Sequence, residues 1–183
     1  MSERKSFIEI YDEASMGKRV NIILDNFPYF NRIVDSYENC IRDKICDERS
    51  SNARSSYGEC GIRVQTSGFS DITCNTAIKN EEIDRALLND DYETAVKGTD
   101  DRFKYQRELE IIKGMRIDYE KVKEACGMLP GKDYAFYMNY LSGKKDTVQI
   151  AEEEHISIGS LRTRVYRCKA FVRKTAIPFL SGK

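Results

Sequence analysis

The chain has 183 residues, 40% of them apolar, with 30 Lys/Arg balancing 30 Asp/Glu, enough for a buried core in one domain or in one domain plus a smaller module. No run approaches the ~20 apolar residues of a membrane helix, and the charged start MSERKSFIEIYDE lacks the apolar stretch of a secretory signal. A cytoplasmic protein with no membrane contact is expected. None of the six cysteines forms a C-x-x-C pair, and the one histidine is His155, so no metal and no cofactor are expected and the thiols read as reduced and structural.

The neutral total hides an asymmetry. Residues 1–100 hold 13 Lys/Arg and 19 Asp/Glu, a balance of −6, whereas residues 101–183 hold 17 and 11, a balance of +6. From His155 to the end there are 7 Lys/Arg and no acid. A basic end on an acidic chain points to a polyanionic partner met by the C-terminal face.

Taken in order, residues 3–24 predict a helix carrying Phe7, Ile10, Tyr11, Ala14, Val20, Ile23 and Leu24 at helical spacing, interrupted at Gly17. Asn26 as a cap and Pro28 in a first turn open a second helix over 28–48. Its apolar stripe is Phe30, Ile33, Val34, Tyr37, Ile41 and Ile45, and its outer face alternates in charge through Arg32, Asp35, Glu38, Arg42 and Asp43. The Ser/Gly-rich run at 50–61 predicts an exposed loop or linker, with flexible chain through about residue 70. Ser70 or Asp71 then caps a helix ending near Leu88, and the acidic stretch NDDYETAVKGTDD breaks at Gly98. From Arg102 to Cys126, Tyr105, Leu109, Ile112, Met115, Tyr119 and Val122 step by three or four, which predicts a long amphipathic helix stopped by Gly127 and Pro130. The two long stripes suit packing within the chain or between two chains, as in a homodimer.

The C-terminal segment is the most informative. An aromatic helix over Asp133–Leu141 is followed by Asp146 or Thr147 as cap of a helix over Val148–Glu154, with Ile150 and the small Ala151 facing inward. His155, Ile156 and Ser157 form a turn, and Ser157 caps a basic helix over Ile158–Phe171. On that helix Leu161, Val165, Cys168 and Val172 make the buried stripe. At ~100° per residue Gly159, Thr163, Tyr166, Arg167 and Ala170 fall opposite it, flanked by Ser160 and Arg162. In a helix-turn-helix the N-terminal half of the second helix meets base edges. Ser160, Arg162, Thr163 and Arg167 are therefore the expected base contacts. Arg164, Lys169, Arg173 and Lys174 are expected on phosphates, Ser157 is a further expected DNA contact, and Thr147 and Gln149 near the first helix's start are expected on the DNA backbone.

Residues 129–174, LPGKDYAFYMNYLSGKKDTVQIAEEEHISIGSLRTRVYRCKAFVRK, resemble region 4 of a sigma-70-type factor: Leu-Pro, an aromatic helix, an Ile-Ala-Glu-Glu helix, a turn and an Arg-rich recognition helix. Arg162, Arg164 and Arg167 match that pattern; His155 stands where the family usually has Gly, and Glu154 where it is usually apolar. His accepts a positive φ better than most non-Gly residues. Upstream, ILDNFPYFNRIVDSYENCIRDKI (23–45) and RVQTSGFSD (63–71) do not resemble the core-binding part of a sigma factor. With the sigma-like end, they are similar to small phage-encoded late-gene activators of the ArpU and RinA type.

The resemblance implies an all-α protein: long amphipathic N-terminal and central helices over 1–126, for oligomerisation or partner contact, and a helix-turn-helix DNA-binding domain over 127–183. It implies a sequence-specific transcriptional regulator of phage or prophage late genes that binds double-stranded DNA, contacts host RNA polymerase and has no catalytic activity. The alternative reading is the DNA-recognition small subunit of a phage terminase, which also joins a helix-turn-helix to helical oligomerisation segments. A recombinase or nuclease fragment is a third, weakened by the single histidine and the lack of clustered carboxylates.

Overall fold

In the computed structural model, residues 5–56 and 72–182 are described, and they form nine helices with no strand among them. The helices are α1 (Phe7–Asp12), α2 (Met16–Asp25), α3 (Phe30–Ser56), α4 (Ile72–Leu88), α5 (Tyr92–Ala95), α6 (Arg102–Gly127), α7 (Gly131–Leu141), α8 (Thr147–Glu153) and α9 (Ile158–Leu180). The all-α class expected from the sequence is present, and no described helix is long and apolar enough to cross a membrane.

Two compact units divide the chain: Met1–Val34 with Lys113–Lys183, and Asp35–Ile112. This division differs from one between 1–126 and 127–183, because the N-terminal helices fold with the C-terminal ones. In the first unit α9 packs against α2, α7 and α8. Its stripe of Leu161, Cys168 and Val172 continues through Ala176 and Leu180, all buried, while Val165 is half-buried. A helix ending at Phe171 would leave that second half without its turns, so α9 runs on to Leu180, with Pro178 in its last turn. The apolar residues of α2, Val20, Ile23 and Leu24, are buried in the same unit.

The first helical segment breaks at 13–15 instead of at Gly17, which lies inside α2. Arg19 makes that break tolerable: its guanidinium donates to the carbonyls of Tyr11, Asp12 and Ala14 at 2.8–3.2 Å, where the helical ladder of α1 ends. Asn26 closes α2 instead of opening the next helix, its Nδ2 donating to the Ile22 carbonyl at 2.8 Å. Pro28 lies in the turn, and α3 begins at Phe30, in keeping with the bar proline sets against helical backbone at Phe27. Phe30 then stacks on Tyr119 of α6 with ring centroids 5.6 Å apart.

In the second unit α3 extends through the Ser-rich residues 50–56 expected to be a loop. Tertiary contacts override the poor propensity there. Arg49 Nη2 donates to the carbonyls of Thr94 and Ala95, and Asn52 Nδ2 to that of Gly98. The rest of that expected loop, with the Ser70 and Asp71 caps, lies outside the described residues. The acidic stretch after α4 is ordered by Asp91, which caps the short α5 by accepting from Thr94 N–H at 3.1 Å, while Tyr92, Ala95 and Val96 are buried. Arg42, expected to be solvated, forks onto Asp84 of α4.

Asp118 is the buried acid of the first unit, only 7% exposed. Tyr11 Oη donates to it at 3.0 Å, and Arg19 Nη1 lies 3.7 Å away. Burial raises its pKa from the ordinary carboxyl value, outweighing the hydrogen bond from Tyr11 and the charge of Arg19. A carboxyl whose folded pKa is raised favours folding in its protonated form, and that contribution is lost as pH rises through the folded value. Asp118→Asn keeps an acceptor for Tyr11 and removes the charge. As pH falls from neutral through the carboxylate range, the stability difference should move in favour of the wild type, read as urea midpoints of the two proteins. A pH-independent difference contradicts this account of Asp118.

Candidate nucleic-acid interface

The junction between α8 and α9 is built from local signals. Asp146 caps α8 by accepting from the N–H groups of Val148 and Gln149 at 2.8 Å. Gln149 Oε1 accepts in return from Asp146 N–H at 3.1 Å, completing a capping box. At the other end His155 has φ 53. Its N–H reaches the Glu152 carbonyl, and the N–H of Ile156 reaches that of Ala151 at 3.0 Å. This pair of bonds is a Schellman motif, in which the left-handed position is usually glycine. His155 fills it at a cost of order 1–2 kcal/mol. Ser157 then caps α9, accepting from Ser160 N–H at 3.1 Å. Ile150 and Ala151 are both buried, and the small Ala151 suits the packing of α8 on α9.

The expected contact residues fall into groups with different duties. Arg164, expected on phosphate, is instead a structural clamp. Its Nε donates to Asp133 at 2.7 Å, Nη1 to Glu154 at 2.8 Å and Nη2 to the Lys132 carbonyl at 3.3 Å. Its Cζ stands 4.1 Å from the ring centroid of Phe136. Burial disfavours the charge, but the hydrogen bonds it donates to Asp133 and Glu154 outweigh that and raise the guanidinium's pKa. Lys169 pairs with Asp25 of α2 at 2.7 Å. Arg173 leans on the first turn of α2, where a Cβ on Gly17 would stand 2.8 Å from its Nη2.

Polar capacity is also partly used elsewhere. The hydroxyls of Ser157 and Ser160 bond each other at 2.9 Å, and Thr163 Oγ1 donates to the Gly159 carbonyl at 3.0 Å. Thr147 is exposed at the start of α8. Arg162 and Arg167 are exposed and make no ion pair among the described residues. Ser157, Ser160, Thr163, Arg164 and Arg167 are brought together along one open groove of about 800 Å³, bordered by Leu129, Pro130, Ile156 and Phe171. Arg162, Lys169 and Arg173 lie on the opposite flank of α9, at ~100° per residue.

Asp133, Glu154 and Asp25 were not among the expected site residues, yet they decide which cations stay free. Asp133 and Arg164 are 31 residues apart, a separation at which no periodicity signals a contact. Tyr166 was placed on the exposed face without a role, and it is 74% exposed. Among the described residues, no group of three or more His, Cys, Asp or Glu is arranged to hold a metal ion. No protein-family model, curated protein or solved structure matches the chain.

Arg164→Ala removes two charge-assisted bonds and the stack on Phe136, and leaves Asp133 and Glu154 without their cation. A loss of about 1–2 kcal/mol is expected in urea unfolding, since both acids are partly solvated. Arg167→Ala, by contrast, should fall within ~0.5 kcal/mol of wild type. Equal effects for the two would contradict the division between clamp and free cation.

Proposed function

We propose that this chain is a sequence-specific DNA-binding transcriptional regulator that lays α9 in the major groove of double-stranded DNA. The observation that carries the reading is the exposed face of α9. It holds Arg162 and Arg167, both exposed and without ionic partners among the described residues, on a helix with six Lys/Arg and no acid between Ile158 and Lys174. A polyanion supplies what that face lacks.

The segment before α9 supports the same reading. A capped α8 of seven residues and a Schellman turn lead into a second helix whose N-terminal half is open to solvent, as docking by a helix-turn-helix requires. Arg162 and Arg167 lie on opposite flanks of the exposed face, each able to fork onto a guanine edge. Thr147 and Gln149, at the start of α8, contact the sugar-phosphate backbone with Ser157, while Ser160 and Thr163 stand beside the two arginines as further base contacts. Arg164 and Lys169 are withdrawn as primary contacts because each is engaged within the protein, whereas Arg173, exposed on α9, stays available for phosphate.

The assignment to phage or prophage late genes, the contact with host RNA polymerase and the absence of catalysis rest on the sequence resemblance alone. In vitro selection of bound duplexes, followed by footprinting, tests the function directly. A defined site is expected, bound with an affinity that falls steeply with salt. Arg162→Ala with Arg167→Ala should relax selectivity and cost about 1–3 kcal/mol per lost base contact. Unchanged site-specific binding by the double variant would show that α9 is not the reader.

A further inference from the structure

The centre of the exposed face is not basic. At ~100° per residue, Thr163 and Tyr166 lie between the flanking Arg162 and Arg167, with Gly159 one turn before and Ala170 one turn after. The face is therefore charged at its edges and methyl- or ring-bearing in the middle. The proton of the Thr163 hydroxyl is committed to the Gly159 carbonyl at 3.0 Å. That leaves an acceptor oxygen and the γ-methyl for a partner. Tyr166 is 74% exposed and no hydrogen bond among the described residues holds its ring down. Gly159 and Ala170, both exposed, allow close approach to a surface.

Resting on the reading of α9 as a major-groove helix, we propose that Thr163 and Tyr166 select thymine, by packing the γ-methyl and the ring against thymine C5-methyl groups. The occupant is duplex DNA because the two flanking guanidiniums match its charge. Thymine is the choice because the γ-methyl of Thr163 and the ring of Tyr166 put apolar surface at the centre of the face, and the C5-methyl is the apolar feature of the major groove. The face then reads a thymine-containing core between flanking positions set by the arginines.

The test begins with the duplex that the wild type selects from a random pool. Each thymine is replaced singly by deoxyuridine, which deletes the C5-methyl and keeps every hydrogen bond. Wild-type affinity should fall about fourfold at one or two positions, the worth of one buried methyl-sized group. Thr163→Ser, which keeps the bond to Gly159, should abolish the penalty at one of them, and Tyr166→Ala at the other. Both side chains are exposed, so thermal midpoints should match wild type and exclude misfolding. A selected site in which deoxyuridine costs nothing anywhere overturns the proposal, as does a penalty that persists unchanged in both variants. The DNA reading survives either result. Failure to select any site overturns both.

Discussion

Arg164 holds three segments at once: its guanidinium bonds Asp133 and the Lys132 carbonyl of α7, bonds Glu154 at the end of α8, and lies over Phe136. Because α9 presents a different set of side chains every ~100° of rotation, whatever fixes its rotation decides which residues face outward. The buried stripe sets that rotation coarsely. The clamp sets it finely, since a charged, planar fork tolerates little movement between two carboxylates. A cation drawn into the fold in this way also separates the arginines by duty: Arg164 serves structure, while Arg162 and Arg167 are left for a partner.

A second constraint is the length of α9. Its apolar stripe runs on to Ala176 and Leu180, and α2 packs against it, with Lys169 paired to Asp25 and Arg173 leaning on Gly17. The N-terminal helices are therefore part of the unit that carries the proposed reader and not a separate appendage. Any ligand or partner that disturbs α2 disturbs the seat of α9 directly. Burial of Asp118 between Tyr11 and Arg19 belongs to the same unit and gives it a titratable interior group.

How much of this was legible in the sequence follows from the range of each interaction. Helix 102–127, the capping Asp146, the left-handed His155, the capping Ser157 and the stripe of Leu161, Cys168 and Val172 depend on neighbours within a few residues, and spacing reveals them. The Ser-rich end of α3 read as loop because its partners, the carbonyls of Thr94, Ala95 and Gly98, lie more than forty residues on. Arg164 read as a phosphate contact because its two acids sit 31 and 10 residues away on other elements. Propensity and periodicity place a cation on a face, but only the fold says whether an acid waits there. Spacing puts Tyr166 on the outer face of α9, while its degree of exposure is a property of the fold.

The claim that α9 divides its cations between the fold and the DNA can be followed by NMR at the arginine Nε–H groups during titration with the selected duplex. The Nε–H resonances of Arg162 and Arg167 should shift markedly, with backbone changes centred on Gly159, Thr163 and Tyr166, while that of Arg164 stays where Asp133 holds it. Movement of Arg164 as large as that of Arg162 and Arg167, or shifts centred away from α9, would contradict the account.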